Sequence, residues 1–301
     1  MLERAGDVVD FESPEAFAKH LPKADAIVVG LELQLRRELL ERAKRLRVIA
    51  SRTSQLRHVD TEEAARRRIE ILWIEPTAPA LRETTSTAEE TIALLFALMR
   101  NLPWAFDAVK SERWERARYG GHELRGQTIG LVGFGRLGRM VAGYAQAFGM
   151  HVLAYDRSGA PEEYAERGVE AVELDDLLRR SDVVSLHCTW SDETRGLIGA
   201  RELGLMRESA VLINTARGEI TDEEALLAAL ESGSIAGAAV DTLSGELPDG
   251  SHLAGNPLVQ YARTHENLII LPHLGGATEE GTERTQVFIS EKLVRWLEER
   301  S

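Results

Sequence analysis

The sequence predicts an α/β protein with two doubly wound parallel-sheet domains. Three observations favour this class: nine short apolar runs recur along the chain, helical patterns separate them, and most of the runs are continuously apolar. Continuous apolar runs are typical of parallel strands that are covered on both faces. A length of 301 residues favours two domains over a single core.

The nine apolar runs are the predicted strands. Short runs of this kind also occur in buried helices, but the flanking Gly, Asp and Asn residues favour strands here. In chain order the runs are AIVVG (26–30), LRVIAS (46–51), IEILWI (69–74), TIGLVG (128–133), HVLAYD (151–156), DVVSLHC (182–188), AVLIN (210–214), IAGAAVD (235–241) and NLIILPH (267–273). Their alternation with helical patterns predicts doubly wound sheets.

Helix ends are predicted by short polar motifs. Ser86 with Glu89, and Thr221 with Glu224, have the spacing of capping boxes, so each pair predicts the start of a helix. Gly233 predicts the end of the second of these helices.

The domain division follows from a helix-rich region, residues 87–126, which separates the first three strands from the other six. We interpret this region as a hinge. The predicted smaller domain comprises residues 1–96, and the predicted larger domain comprises residues 97–276. The final helix, within residues 277–301, is expected to return to the smaller domain.

Charge and cysteine content narrow the possible partners. The net charge of −13 disfavours nucleic acid and anionic membranes. The single cysteine, Cys188, has no partner for an internal disulfide and lies in an apolar run, so a small buried side chain is favoured over a nucleophilic thiol. The charged N-terminus and the absence of a membrane-length apolar run predict a cytoplasmic protein. No metal site is expected.

A glycine motif predicts a dinucleotide-binding Rossmann domain. Gly133, Gly135 and Gly138 have G-x-G-x-x-G spacing between a predicted strand and a predicted helix, where a pyrophosphate approaches the backbone and the helix N-terminus. Asp156 ends the next strand, and a carboxylate there favours NAD over NADP. The neighbouring Arg157 weakens this preference. The alternative is a glycine turn that is followed by an unrelated acid.

Three polar residues follow strands in the second half of the chain: Arg217, Glu246 and His273. Ligands of open parallel sheets bind beyond the carboxyl ends of the strands, so these residues are expected to converge. An imidazole can transfer a proton, a carboxylate can orient the ring, and a guanidinium can bind a substrate carboxylate. The alternatives are an Arg217 ion pair with Glu219 or Asp222, a loop histidine and an ordinary turn acid.

With these motifs, the sequence resembles the D-isomer-specific 2-hydroxyacid dehydrogenases, in their phosphoglycerate-dehydrogenase-like branch. The resemblance covers nearly the whole chain. It rests on WERARYGGHELRGQTIGLVGFGRLG (114–138), DVVSLHCTWSDETRGLIG (182–199), LINTARGEITDEEAL (212–226), AGAAVDTLSGELP (236–248) and NLIILPHLGGAT (267–278).

The resemblance implies roles for individual residues. Arg217 would bind the substrate carboxylate and carbonyl oxygen, and His273 would be the acid/base, paired with Glu246. The cofactor would be NAD, and its site would be formed by Gly133, Gly135, Arg136, Leu137, Gly138, Asp156, His187, Thr215, Ala216, Asp241 and Gly276. The substrate would be a small anionic 2-keto or 2-hydroxy acid, of the phosphoglycerate, hydroxypyruvate or glyoxylate type.

The resemblance also implies a smaller, flavodoxin-like substrate domain, in which the loop containing Arg52, Ser54 and Gln55 would contact the substrate. Here the sequence departs from the family. Gln55 stands where a glycine is typical and Arg57 where an acid is typical. One interpretation is that Arg52 and Arg57 reach a phosphate or a second carboxylate, and the alternative is an exposed basic turn.

Three further departures concern other segments. Thr189 and Trp190 replace the commoner residues of the cofactor-side loop. The family's initial strand has no counterpart before residue 26, so the first sheet lacks a strand or is rebuilt, for example by residues 7–11. The chain ends without the C-terminal regulatory domain of some relatives, so feedback control through such a domain is not expected.

The resemblance finally implies an assembly and leaves a second function open. The family forms homodimers through the cofactor domains, in which the region 87–118 embraces the partner. The alternative function is an NAD(H)-binding sensor or corepressor on the same fold, with little or no catalysis.

Overall fold

The computed structural model describes residues 2–11, 13–157 and 161–300. The chain forms two compact units, Met1–Thr84 with Glu279–Ser301, and Thr85–Thr278. This division differs from the predicted boundaries after residues 96 and 276. The reason is the helix Ser86–Met99, which packs on strands of the second unit and therefore belongs to it entirely.

The first unit alternates short strands and helices. Two single turns of 3₁₀ helix, Leu2–Arg4 and Leu21–Lys23, accompany them. Its elements are α1 (Pro14–His20), β1 (Ala26–Val29), α2 (Arg37–Arg42), β2 (Val48–Ser51), α3 (Thr61–Arg66), β3 (Glu70–Leu72), α4 (Pro79–Arg82) and α13 (Glu279–Glu298).

The sheet of the first unit is parallel, in the order β1-β2-β3. One face packs on a cluster that includes Phe17 and Leu40, and the other packs on Leu293 and Trp296 of α13. Helices therefore cover both faces, as the predicted class requires. Residues 7–11 form no strand, so they do not replace the family's initial strand. In the described part of the chain, no reversal of strand order occurs in this sheet.

The second unit contains the longer sheet. Its elements are α5 (Ser86–Met99), α6 (Leu102–Lys110), β4 (Thr128–Val132), α7 (Arg136–Ala147), β5 (His151–Tyr155), α8 (Pro161–Glu166), β6 (Glu170–Ala171), α9 (Leu174–Arg180), β7 (Val183–Leu186), α10 (Ala200–Leu203), β8 (Val211–Asn214), α11 (Glu223–Ser232), β9 (Gly237–Val240), α12 (Pro257–Ala262) and β10 (Leu268–Ile270). All nine predicted strands of the chain are present, and the two-residue β6 is an additional one.

The strand order of the second sheet positions the site. The order is β10-β9-β8-β7-β4-β5-β6, and all neighbours are parallel. The order reverses at β4, which pairs with β5 on one side and β7 on the other. Ligands of such sheets bind beyond the carboxyl ends of the strands near this reversal. One face packs on α5 and α7, and the other packs on a cluster that includes Leu177 of α9 and Leu226 of α11.

Two helix starts differ from the predicted capping boxes. Thr85, not Ser86, precedes α5, and the Ser86 hydroxyl instead bonds the Thr278 hydroxyl at 2.8 Å. Asp222, not Thr221, caps α11, because its carboxylate accepts from two backbone N–H groups of the first turn. A carboxylate at this position also interacts favourably with the helix dipole. The predicted helix end at Gly233 is confirmed, with a φ of 71°.

The region predicted as helical, 87–126, is helical only as far as Lys110. Residues 111–127 are turns and irregular backbone. Among the described residues no single helix has both the length and the apolar composition of a membrane span. The pair Pro79–Met99 and Leu102–Lys110, bent between its members, meets that test only when its members are combined.

Candidate active site

The glycine motif lies between β4 and α7, and each glycine has a distinct local reason. Gly133 has a φ of 102°, and a Cβ on it would lie 2.5 Å from the Cys188 nitrogen. A Cβ on Gly138 would collide with the Gly133 carbonyl oxygen, so this glycine lets helix and strand pack closely. A Cβ on Gly135 would meet only open space. An open, Cβ-free backbone at a helix N-terminus suits a dinucleotide pyrophosphate.

The first turn of α7 contains Arg136 and Leu137, which the sequence predicts to bind the pyrophosphate. Their backbone N–H groups lie at the start of the helix, where no carbonyl of the helix is available to them. The Arg136 side chain extends toward Met140, and burial lowers the pKa of its guanidinium. An anion that binds at this end of α7 would therefore contact the backbone N–H groups of Arg136 and Leu137.

Asp156 follows β5 and faces the glycine loop. Its Oδ2 accepts from the Phe134 backbone N–H at 2.8 Å, so the carboxylate also holds the loop in shape. Arg157 forms an ion pair with Glu193 at 2.7 Å. Arg157 is the residue that weakens the predicted preference for NAD over NADP. In the structure it is paired with a carboxylate of the same unit.

The segment after β7 packs against the glycine loop, where the Cys188 backbone lies close to Gly133. The His187 Nε2 lies 2.9 Å from the Ser185 hydroxyl, and burial lowers the pKa of His187 to about 4, so the ring is neutral at pH 7. Burial raises the pKa of Cys188 to about 11, which keeps its thiol protonated and supports a packing role. Thr189 is tied into the loop, because its carbonyl accepts from the Thr194 hydroxyl at 2.9 Å.

The turn after β8 holds Arg217 through Asn214, a residue that the sequence analysis did not single out. The Asn214 amide donates to the Arg217 carbonyl at 2.8 Å, and its Oδ1 accepts from the Ala216 N–H at 3.0 Å. The Arg217 guanidinium donates to the Ala216 carbonyl at 2.6 Å. Asp222, one of the predicted ion-pair partners, instead caps α11.

Close backbone packing brings the turns after β8 and β9 together. A Cβ on Gly218 would collide with the backbone of Leu243 and Ser244, so only glycine fits there. The turn after β9 continues to Glu246, whose Oε1 accepts from the Leu243 N–H at 2.8 Å. The segment that follows Arg217 is therefore packed against the segment that leads to Glu246.

The predicted hydrogen bond between Glu246 and His273 is present. The Glu246 Oε2 lies 2.6 Å from the His273 Nδ1, and both side chains are partly exposed. With Nδ1 directed at a carboxylate, Nε2 is the ring nitrogen that remains for a substrate. His273 has a φ of 56°, and its N–H donates to the Asp241 carbonyl at 2.9 Å. Such a backbone conformation in a non-glycine residue is uncommon and occurs often at functional sites.

Asp241 and Thr215 lie at the ends of β9 and β8 and are both buried. The Asp241 carboxylate accepts from the N–H groups of Leu274 (2.6 Å) and Gly275 (2.9 Å). The Thr215 hydroxyl bonds the hydroxyl of Thr91 on α5 at 2.8 Å. A Cβ on Gly276 would meet nothing within 4 Å, so its backbone is open to a ligand.

The predicted substrate loop lies in the first unit. Arg52 pairs with Glu32 at 2.6 Å, and Ser54 is half-buried. The Gln55 carbonyl accepts from the Thr53 hydroxyl at 2.5 Å, and the Arg57 carbonyl accepts from the Arg36 guanidinium at 3.3 Å.

The loop after Ser51 is also anchored by a buried histidine. The Ser51 hydroxyl lies 3.2 Å from the His58 Nε2 and 2.9 Å from the Thr53 hydroxyl. Burial lowers the pKa of His58 to about 4, so the ring is neutral at pH 7. The hydroxyls of Ser51 and Thr53 therefore hold the loop that contains Gln55.

Comparison with known proteins bears on this arrangement. Residues 92–275 match the family model described as the D-isomer specific 2-hydroxyacid dehydrogenase, NAD binding domain. The chain is 38% identical to a glyoxylate reductase of Aeropyrum pernix, over 96% of this chain and 85% of that protein. It is 36% identical to a D-3-phosphoglycerate dehydrogenase of Archaeoglobus fulgidus, over 94% of this chain and 51% of that protein.

Solved structures show the same similarity. The structure of an Aquifex aeolicus D-lactate dehydrogenase complexed with NAD and lactic acid superposes with a TM-score of 0.77, at 32% identity, and the match covers 93% of this chain and 84% of that one. The chain spans about half the length of the phosphoglycerate dehydrogenases that it matches.

Proposed function

This chain belongs to the D-isomer specific 2-hydroxyacid dehydrogenase family, and we propose that it is an NAD-dependent oxidoreductase that interconverts a small D-2-hydroxy acid and its 2-keto acid. The observation that carries the proposal is the 2.6 Å contact between Glu246 and His273 at the carboxyl edge of the long sheet. A carboxylate on Nδ1 fixes the ring orientation and stabilises the charged imidazole, which is what acid/base transfer from Nε2 needs.

We assign the proton transfer to His273. In reduction, its Nε2 donates a proton to the carbonyl oxygen of the keto acid, and in oxidation the same atom removes the proton of the hydroxyl group. In both directions the Glu246 carboxylate accepts the hydrogen bond from Nδ1 and holds the ring in place. The open backbone of Gly135 and the Asp156 carboxylate would hold the cofactor, which would supply a hydride as NADH or accept one as NAD.

We assign substrate binding to Arg217. A guanidinium binds a carboxylate through two parallel N–H donors, which a lysine cannot reproduce. The same group polarises the neighbouring carbonyl of a 2-keto acid. The Asn214 bonds to the Arg217 turn and the Gly218 contact support this assignment, because they hold the arginine beside the segment that carries Glu246.

The substrate class that we propose is that of phosphoglycerate, hydroxypyruvate and glyoxylate. The names of the matched relatives, glyoxylate reductase and D-3-phosphoglycerate dehydrogenase, support it. The test is a panel of glyoxylate, hydroxypyruvate, pyruvate, 2-oxoglutarate and phosphohydroxypyruvate with NADH and with NADPH. Reduction of at least one keto acid supports the proposal. Binding of NADH without any reduction would favour the sensor or corepressor function.

Cofactor preference gives a separate prediction. In Asp156→Asn the acceptor for the Phe134 N–H is retained while the negative charge is lost. We expect the Kd for NADH to rise by about tenfold, the effect of one lost hydrogen bond to a charged group, while NADPH binding improves. Fluorescence titration with both cofactors measures this ratio. An unchanged ratio would contradict the assignment of Asp156 to the adenosine ribose.

We also propose a homodimer and a cytoplasmic location. Leu102, Phe106 and Val109 are spaced by four and three residues on α6 and are exposed by 52%, 66% and 54%. Large side chains of this kind on one face of a helix are typical of protein–protein interfaces. The occupant that we propose is the same face of a second copy. The single cysteine, Cys188, supports a reducing compartment.

The dimer is tested by placing charges on this face. Phe106→Asp with Val109→Asp is expected to change the mass in light scattering from two chains to one, because two buried carboxylates would face the partner without counter-charges. Leu253→Asp is the matched control, since Leu253 is also an exposed apolar residue but lies far along the chain from α6. A monomeric parent protein, or a double variant that remains dimeric, would contradict the proposal.

A further inference from the structure

One face of α5 contacts two of the loops that form the candidate site. The Thr87 hydroxyl donates to the Gly275 carbonyl at 2.9 Å, and the Thr91 hydroxyl bonds the Thr215 hydroxyl at 2.8 Å. Glu90 lies three residues after Thr87, so it shares this face of the helix. Glu90 belongs to none of the sequence motifs that predict the site.

The Glu90 and Asp241 carboxyl groups meet beside Gly275. A Cβ on Gly275 would lie 2.9 Å from Glu90 Oε2 and 3.1 Å from Asp241 Oδ2. Glu90 Oε2 is buried and has no hydrogen-bond partner among the described residues. Asp241 is different, because its two oxygens accept from the N–H groups of Leu274 and Gly275.

Two adjacent buried carboxyl groups do not both ionise readily. Burial and then the charge of Asp241 raise the pKa of Glu90 to about 8. Burial also raises the pKa of Asp241, but its two backbone hydrogen bonds and the nearby His273 act in the opposite direction. The proton therefore resides on Glu90, which can then donate to the Asp241 carboxylate. His273 is a titratable group that also acts on the Asp241 carboxylate, and its ring is hydrogen-bonded to Glu246.

We propose that Glu90 is a positioning residue: it carries the proton of this carboxyl pair, donates it to Asp241, and so fixes the backbone of residues 273–275. Ionisation of Glu90 would place a second negative charge beside Asp241, and the repulsion would displace the Asp241 carboxylate from the Leu274 and Gly275 N–H groups. The left-handed backbone of His273 precedes these two residues directly, so its orientation depends on them.

The kinetic consequence of this inference rests on the proposed dehydrogenase function. Oxidation of the hydroxy acid uses His273 in its neutral form, so a loss of rate at high pH does not arise from deprotonation of this ring. We expect kcat/KM for oxidation to fall by about tenfold between pH 7 and pH 9, as one group near pH 8 ionises. In Glu90→Gln, which retains a donor but does not titrate, this fall is expected to disappear.

Glu89→Gln is the matched control. Glu89 is the preceding residue on α5, is exposed, and bonds the Thr85 hydroxyl instead of a carboxyl group. This variant is expected to keep the activity and the high-pH fall of the parent protein. The quantity to compare is the ratio of kcat/KM at pH 7 to that at pH 9 within each variant.

A second measurement does not depend on catalysis. A raised pKa means that the folded state binds a proton that the unfolded state has already released, so this group lowers stability as pH rises from about 4.5 to about 8. The Tm of Glu90→Gln is therefore expected to equal that of the parent near pH 5 and to exceed it by several degrees at pH 8. Glu89→Gln is expected to follow the parent at both values.

The kinetic and the Tm measurements together distinguish failure of the Glu90 inference from failure of the proposed dehydrogenase function. A Glu90→Gln protein that retains both the high-pH fall and the parent's dependence of Tm on pH would overturn the inference. If the parent protein oxidises no hydroxy acid, the proposed function fails, and the Tm comparison alone decides whether Glu90 holds the proton. A difference in Tm that grows with pH would then still support the carboxyl pair.

Discussion

Replacing His273 by asparagine is expected to lower the turnover number for keto-acid reduction by about 10²- to 10⁴-fold, the usual contribution of a positioned general acid. Asparagine removes the ionisable ring but tolerates the left-handed backbone at this position. We therefore expect the substitution to slow the chemical step without disturbing the fold. Steady-state kinetics measure it, and circular dichroism and the Tm show whether the fold is retained.

His122→Asn provides the control for this experiment. His122 is exposed, and its backbone N–H bonds the Met99 carbonyl, which the substitution does not affect. Its kinetic constants should equal those of the parent protein. If His273→Asn retained more than a tenth of the parent turnover, the proton would have to come from another group, and the Glu246 contact would be structural only.

The second large effect is expected for Arg217→Ala. Removal of a preorganised donor to the reacting oxygen costs about 3–4 kcal/mol, so kcat/KM should fall by roughly 10²- to 10³-fold. NADH binding should change little, because the group contacts the substrate. Arg217→Lys should recover only a small part of the loss, since a lysine retains the charge but lacks the planar fork.

Arg201→Ala is the control for the loss of an arginine. Arg201 is exposed and paired with Asp175 and Glu202, and surface pairs of this kind contribute about 0–1 kcal/mol. If Arg217 only paired with Glu219, as the alternative interpretation has it, Arg217→Ala would resemble this control. Near-normal kcat/KM in Arg217→Ala would therefore refute its assignment to the substrate carboxylate.

Most of the architecture was predictable because each of the nine short apolar runs contains a strand, and helices cover both faces of the two sheets. β6, Glu170–Ala171, was not predictable, since it is an exposed pair of residues at the sheet edge and has no apolar pattern. The Asp222 cap also differed from prediction. Both Thr221 and Asp222 are good caps, but the Thr221 hydroxyl accepts from the Asn214 amide at 3.3 Å, and Asp222 caps the helix.

The candidate site was predictable where residues directly follow strands, as Arg217 and His273 do. Asn214 also ends a strand, and a polar residue at the end of the buried LIN segment is a signal for the same edge of the sheet. Glu90 gave no such signal. Its neighbour Asp241 is about 150 residues away along the chain, and only the packing of α5 on the sheet brings the two carboxyl groups together.

The first unit is assembled from both ends of the chain, and this has a consequence for biosynthesis. Val48, Ala50 and Leu72 pack on Leu293 and Trp296, which a ribosome adds almost 250 residues after the first of these strands. One surface of the nascent sheet therefore stays uncovered while the intervening unit is made, and nascent chains with exposed strands are prone to aggregate. Translational stalling or proteolytic clipping ahead of α13 would leave that surface permanently bare, so such fragments should be substrates for chaperones.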